Sequence, residues 1–236
     1  MARLEGGTLS LDIGGSGIKG MVLNNRGTPI NERVRVPTPR PADPDALLMA
    51  IAMVVERQPA FDRVAIGFPG VVEFGVIRTA PNLDGDWSGF PLADEAEQLT
   101  GRPCRVANDA DVHGYGAIEG KGVEMVITLG TGMGSAVFTN GCLVPNLELG
   151  HHPLTGAETY EDMVGQAARE AVGIVEWNQR VSSVINQILP VWNPRILYIG
   201  GGNARHINFE LPVNVRRVPN ITGILGGIRL WEDQAH

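Results

Sequence analysis

Asn108-Asp109 stands where an apolar run, Arg105–Ala107, gives way to a helical pattern. A carboxylate at a helix start accepts backbone N–H groups, which lowers its pKa and keeps it ionised at neutral pH. Such a carboxylate is a weak base, and its plain role is that of a helix cap. A weak base suffices in phosphoryl transfer, where positioning outweighs bonding to the attacking oxygen. Other polar side chains of matching chemistry stand apart in the chain. Asn82 lies in Pro81-Asn82-Leu83-Asp84-Gly85-Asp86-Trp87, and Glu148 and His151 sit three apart after Pro145. Amide and carboxylate groups in such numbers suit a polyhydroxylated ligand, because every hydroxyl both donates and accepts. The five histidines are scattered, with no pair and third ligand at the spacing of a metal site.

Three glycine-rich turns each follow an apolar strand pattern. They are Gly14-Gly15-Ser16-Gly17, Gly130-Thr131-Gly132-Met133-Gly134 and Gly200-Gly201-Gly202. Glycine lets backbone approach a ligand closely, and successive N–H groups can then cradle phosphate oxygens. None has the Gly-Lys-Ser/Thr ending of a Walker loop, and none opens a helix with Rossmann spacing. One such turn would be an ordinary hairpin. Three, two of them with a hydroxyl at Ser16 or Thr131, point to phosphate. Asp12, just before the first turn, is either a turn cap or a carboxylate that holds Mg²⁺ through water. Lys19 either neutralises phosphate charge or faces solvent.

The elements that must carry these residues alternate between strand and helix patterns, which gives an α/β class. Strands are expected at Leu9–Leu11, Ile18–Leu23, Val34–Val36, Val64–Phe68, Arg105–Ala107, Met125–Leu129, Ser135–Thr139, Cys142–Val144 and Ile196–Ile199. Helices are expected from Pro44 to about Arg57 behind the cap Asp43, at Asp94–Thr100, at Glu158–Val175 and at Trp177–Leu189 ahead of Pro190. A last helix is expected near Thr222–Trp231. The strand–glycine–strand unit at Asp12 recurs at Met125, so two related lobes with a cleft between them are expected. The boundaries are 1–120 and 121–221, with a closing helix, 222–235, returning to the first lobe.

Composition narrows the function classes. Of 236 residues, 31 are glycine, nearly twice the ordinary share of about 7%. A net charge of −7 argues against a broad nucleic-acid surface, while leaving room for a local basic pocket. Two cysteines, Cys104 and Cys142, are too few for a disulfide scaffold and read as buried thiols in a reducing cytoplasm. No signal-peptide pattern and no apolar run of about 20 residues is visible, so a cytoplasmic protein without a membrane partner is expected.

Taken in order, the segments L-D-I-G-G-S-G-I-K-G (Leu11–Gly20), G-F-P-G (Gly67–Gly70), N-L-D-G-D-W (Asn82–Trp87), N-D-A-D (Asn108–Asp111), T-L-G-T-G-M-G-S-A (Thr128–Ala136), L-V-P-N-L-E-L-G-H (Leu143–His151) and I-G-G-G-N (Ile199–Asn203) resemble the ROK family of sugar kinases. That family lies within the actin–hexokinase superfamily, and its polyphosphate-glucokinase branch is the most alike. The resemblance runs from about Leu9 to Trp231. It implies a two-lobed actin/hexokinase-like fold of ribonuclease-H-like topology with a central cleft. It implies transfer of a terminal phosphoryl group from polyphosphate or ATP to the 6-hydroxyl of glucose, or of mannose, with Mg²⁺ as cofactor and a homodimer as the assembly. Asp109 would be the general base, and Asn82, Asn108, Glu148 and His151 would bind sugar hydroxyls. The turns at Gly14 and Gly130 would hold the transferring phosphates, and Gly201 and Gly202 would face the donor. Many members carry a cysteine-rich zinc loop after Gly-His. The corresponding stretch here, His152–Gly165, has no cysteine, so no zinc is expected, and Glu158 or Glu161 would replace the sugar-binding glutamate of that loop. Only Asn203–Ile221 separates the last glycine turn from the closing helix, which leaves little room for an adenine slot. Arg205, His206, Arg216 and Arg217 fall in that stretch. A sugar sensor without catalysis and an actin-like ATPase without a sugar site are the competing classes.

Overall fold

The computed structural model describes residues 6–232. They fall into two compact units, residues 6–116 with 223–232 and Ala117–Thr222. In the first, chain order runs β1 (Thr8–Gly14), β2 (Gly17–Leu23), β3 (Val34–Val36), α1 (Pro44–Val55), β4 (Arg63–Phe68), β5 (Val72–Glu73), β6 (Val76–Ile77), α2 (Leu92–Thr100), β7 (Cys104–Asn108) and α3 (Asp109–Ala117). The main sheet has the order β3-β2-β1-β4-β7. The first three strands are antiparallel, and β4 and β7 run parallel to β1. The apolar runs Val64–Phe68 and Leu9–Ile13 are buried on both faces wherever they are apolar, as central strands require. Asp43 caps α1 by accepting from Ala46 N (2.9 Å), with Pro44 at the first position, and Gly101 ends α2 in the left-handed region (φ 64°).

The second unit repeats this plan. Its elements are β8 (Val123–Leu129), β9 (Met133–Thr139), β10 (Cys142–Val144), β11 (Pro153–Thr155), β12 (Glu158–Thr159), α4 (Tyr160–Val164), α5 (Gln166–Trp192), β13 (Ile196–Gly200) and β14 (Val215–Arg217). The sheet order β10-β9-β8-β13-β14 carries the same sequence of senses, three antiparallel strands and then two parallel ones. Each unit has its own core. Leu9, Leu11, Ile51, Ile66 and Phe68 belong to the first, and Trp177, Ile185, Leu197 and Ile199 to the second. The repeat inferred from two strand–glycine–strand patterns is therefore a repeat of whole sheets.

Several expectations are corrected. No single helix spans Glu158–Val175. Glu158 and Thr159 form β12, and Thr159 caps the short α4 by accepting from Asp162 N (3.2 Å). Gly165 interrupts the run, and Gly173 (φ 76°) breaks α5 into two stretches. Pro190 does not stop that helix, which ends at Asn193 in the left-handed region (φ 45°). The closing helix is a short α6 (Thr222–Leu225) followed by a 3-10 stretch, Gly226–Trp231, and residues 233–235 lie outside the described residues. Tight packing explains its shape. A Cβ at Gly226 would overlap Val112 O, and one at Gly227 would overlap Ser10 Oγ. Ser10 Oγ donates to Ile224 O (2.7 Å), Arg105 donates to Leu230 O (2.8 Å), and the Arg63 and Arg105 guanidinium groups stack on Trp231. Cys104 is largely buried, which pushes its thiol up to about 12, but Cys142 is exposed on the edge strand β10.

The unit boundary falls at Gly116/Ala117, four residues before the expected 120/121. Glu124 is the reason. Its buried carboxylate accepts from the N–H groups of Glu119, Gly120 and Lys121 (3.0, 2.7 and 2.9 Å), which ties that turn to the second sheet.

Candidate active-site residues

In the first unit, Asp109 is the opening residue of α3. Asn108, the residue before it, caps the helix start: its Oδ1 accepts from Ala110 N (2.8 Å) and its Nδ2 donates to Gly70 O (3.1 Å). The buried amide thus fixes where the helix begins. Gly67 on the neighbouring β4 lies under that start, since a Cβ there would stand 3.3 Å from Asp109 Cα. Asp12 belongs to β1, not to the turn, and is in register with Lys19 of β2. Lys19 Nζ donates to Asp12 Oδ2 (2.7 Å), with both side chains about one-fifth exposed, so Lys19 does not simply face solvent. His113, buried on α3, lies close by. Burial pushes its pKa down to about 4, with Asp12 working against that shift and Lys19 with it. Gly223 makes room there, since a Cβ would stand 3.1 Å from His113 Nδ1 and 4.0 Å from Asp12 Cγ.

The first glycine turn is a two-residue hairpin, Gly15-Ser16, between β1 and β2. Its carbonyls are held from outside. Thr38 donates to Gly14 O, Arg40 to Gly15 O (3.0 Å) and Arg35 to Ser16 O (2.9 Å). A Cβ at Gly17 would stand 2.7 Å from the Arg35 guanidinium, so a larger residue there would push that brace aside. These bracing residues carry no motif; their signal in the sequence is only two arginines around a proline-rich connector. Asn82 is half-buried in a loop anchored by its neighbours. Trp87 packs on Phe68 and donates to Asp84 O (2.8 Å). The Ala42 N–H bond (2.8 Å) and then Arg40 hold the Asp84 carboxyl below its usual range.

In the second unit, the loop Gly130-Thr131-Gly132 joins β8 to β9 and receives contacts from three elements. Gln166 N, at the start of α5, donates to both Gly130 O and Thr131 O (3.1 Å each). Asn203 Nδ2 donates to Gly130 O (2.9 Å) and Asn203 N to Leu129 O (2.8 Å). Glu161 Oε2 accepts from Met133 N (3.1 Å), so close to Gly132 that a Cβ there would overlap the carboxylate. Gly201 (φ 84°) packs against Leu129, where any side chain would collide. The second and third glycine turns therefore meet. By contrast, Gly130 and Gly202 have ordinary φ and no atom within 4 Å of a would-be Cβ. The fold itself does not require glycine at either position, whereas a ligand drawn up to the backbone would.

Glu148 and His151 bracket a 3-10 turn, Leu149–His151. Ser135 of β9 fixes it by donating to Leu147 O (2.6 Å) and accepting from Leu149 N (3.1 Å), and Gly150 fits only because it lies against Met133 O. His151 Nδ1 is 3.8 Å from Glu148 Oε2, too far for a hydrogen bond. Among the described residues no three His, Cys, Asp or Glu side chains form a group able to hold a metal ion, and no helix is long and apolar enough to cross a membrane.

A family model described as the ROK family matches residues 8–166. The chain is 35% identical over 233 residues to the polyphosphate glucokinase of Mycobacterium tuberculosis (strain CDC 1551 / Oshkosh), covering 92% of this chain and 88% of the relative. It is 36% identical over 205 residues to the N-acetylmannosamine kinase of Escherichia coli (strain SE11), covering 84% of this chain and 70% of the relative. The crystal structure of the inorganic polyphosphate/ATP-glucomannokinase of Arthrobacter sp. strain KM superposes with a TM-score of 0.87 at 33% identity, over 96% of this chain and 99% of that one. With two sheets of one topology, a carboxylate at the start of α3 and glycine loops behind β1, β8 and β13, the chain belongs to the ROK family.

Proposed function

We propose that this protein is a hexose kinase that moves the terminal phosphoryl group of polyphosphate or ATP to the 6-hydroxyl of glucose. The observation that carries the reading is the match of nearly the full chain to a polyphosphate glucokinase, with every motif that resembles the family inside the matched fold. Asp109 takes the proton of the 6-hydroxyl as its oxygen bonds to the terminal phosphorus. The bridging bond to the donor breaks, and the donor leaves one phosphate shorter. Asn82, Asn108, Glu148 and His151 hold the sugar hydroxyls. Glu161, whose Oε2 receives Met133 N, holds the loop at Gly132 and has acceptor capacity left for a sugar hydroxyl. The N–H groups of Gly14–Gly17 and Gly130–Gly132 receive phosphate oxygens, helped by the hydroxyls of Ser16 and Thr131, while Gly201 and Gly202 face the donor.

Asp12 fits a water-mediated Mg²⁺ contact: it is a single carboxylate, already paired with Lys19, and offers no direct multidentate cage. Bound there, Mg²⁺ would neutralise charge on the phosphates, and Lys19 holds the Asp12 carboxylate in its orientation. Mannose is a second acceptor, in line with the glucomannokinase likeness. The protein works in the cytoplasm, where two unpaired cysteines stay reduced. The test is a coupled assay of glucose, mannose and their 2-amino derivatives against both donors with Mg²⁺. A folded protein that makes no glucose 6-phosphate from either donor would sink the reading.

A further inference from the structure

Around Gly202 the second unit collects positive charge that the fold leaves unneutralised. A cavity of about 380 Å³ is lined by Gly201, Gly202, Arg205 and Arg217, with Ala204 and Val218 among its apolar walls. Arg217 Nη1 donates to Ile207 O (3.2 Å) and Arg205 Nε to His206 Nε2 (3.1 Å), and neither arginine is ion-paired with a carboxylate among the described residues. Each therefore keeps most of its five N–H donors. Other arginines of this unit are neutralised: Arg180 on Glu176 (3.1 Å), Arg195 on Glu119 and Glu124 (2.9 and 2.8 Å) and Arg216 on Glu119 (2.7 Å). Arg216 and Arg217 are neighbours on β14 and so project to opposite faces, and only Arg217 lines the cavity. The charge also continues past the cavity. Arg169 of α5, whose nearest carboxylate contact is Glu170 at 3.9 Å, bears on His206 together with Arg205. Burial first, and then these two arginines, lower the His206 pKa, and His206 Nε2 accepts from Arg205 Nε.

From this we propose that Arg217, Arg205 and Arg169 form a strip that binds the distal phosphates of a linear inorganic polyphosphate. The inference rests on the hexose-kinase reading for its orientation, because the reacting phosphate belongs at the glycine loops. A triphosphate would be satisfied by the glycine loops and the cavity. Cations carried on three separate elements, one of them outside the cavity lining, suit a longer polyanion. Glycine at 202, which the fold does not need, lets the chain of phosphates pass close to the backbone.

The experiment compares wild type with Arg205→Ala, Arg217→Ala, Arg169→Gln and the exposed control Arg57→Ala of the first unit. Equilibrium binding and KM are measured for long-chain polyphosphate and for tripolyphosphate, with glucose saturating. The strip predicts that each of the three changes raises the long-chain Kd and KM roughly tenfold, from the loss of charge-assisted contacts, and raises those of tripolyphosphate clearly less. Equal losses for both donors, or an equal loss in Arg57→Ala, would overturn it. So would displacement of bound polyphosphate by a single-stranded oligonucleotide of equal charge as efficiently as by polyphosphate itself. If long-chain polyphosphate binds and the variants lose it while no glucose 6-phosphate forms, the strip stands and the kinase reading fails. If turnover occurs and the variants bind normally, the reverse holds.

Discussion

The hairpin at Gly14–Gly17 and the loop at Gly130–Gly132 occupy the same place in two copies of one sheet, yet they are held in opposite ways. In the first, side chains of β3 and the proline-rich segment after it, Arg35, Thr38 and Arg40, reach back to its carbonyls. In the second, the support is a helix start, an asparagine and a carboxylate: Gln166 N, Asn203 and Glu161. Two cations and a hydroxyl hold the first, and Asp12 is paired with Lys19 beside it. The second is packed so closely that a side chain at position 132, unlike one at position 130, would have to displace the Glu161 carboxylate. The duplicated topology thus fixes where a phosphate loop lies, and local chemistry decides how it is held. In the proposed reaction, Asp109 and Asp12 of the first unit act on the proton and the phosphate, while Glu148 and His151 of the second, with Asn82 and Asn108 of the first, grip the sugar. Changes at Asp109 should then appear in kcat, and changes at Glu148 in KM.

The sharpest test of that split is Asp109→Asn. The amide keeps shape and a hydrogen bond but cannot take the proton, so kcat should fall at least ~10²-fold with sugar affinity retained. A folded variant with near-normal kcat would show that Asp109 is not the base. Next in size is a pH effect confined to the first unit. His113 has a native pKa of about 4 against an ordinary 6.5. Between those values the unfolded chain takes up a proton that the native state does not, so stability falls as pH drops through the window, by up to about 3 kcal/mol. Denaturant melts of wild type and His113→Gln at pH 7 and at about pH 4.5–5, in the lower half of that window, should converge on acidification. Parallel pH curves would remove His113 as the cause.

Glu148→Gln belongs to the second unit and should act on KM. Poorly paired sugar hydroxyls cost on the order of 1–3 kcal/mol, read as a higher KM for glucose with kcat little changed. An unaltered KM for every hexose would place Glu148 outside the sugar site. The smallest effects come from paired glycine changes in the loop itself. Gly132→Ala must displace Glu161 and should cost about 1–3 kcal/mol of stability. Gly130→Ala has open space and ordinary φ, and should leave unfolding within about 0.5–1 kcal/mol of wild type, or raise it slightly, while weakening donor binding. Equal melting of the two variants would show that the packing difference between positions 130 and 132 is not what holds the loop.

Strand positions, the α/β class, the Asp43-Pro44 helix start and the Gly101 stop were legible because each depends on a few adjacent residues. Period-two burial, a capping side chain and a left-handed glycine act over one turn or one strand. The motifs likewise pointed to Asp109, Asn108 and the three glycine turns. The helical region after Glu158 was not legible: a helix pattern can run through Gly165 and Gly173, but the first packs against Thr131 and Gly132 and the second takes a left-handed φ of 76°. The same applies to the close of the chain, where Gly226 and Gly227 press against Val112 and Ser10, residues more than a hundred positions away. Composition and local pattern therefore determined which residues have the chemistry for a kinase. Only tertiary structure decided that Asn108 is the cap, that Glu161 braces a loop, that Lys19 is tied to Asp12, and that Arg217 keeps its charge while Arg216 gives it to Glu119. Each of those outcomes depends on a partner distant in sequence or on which face of a strand points inward, and a one-residue step reverses the face.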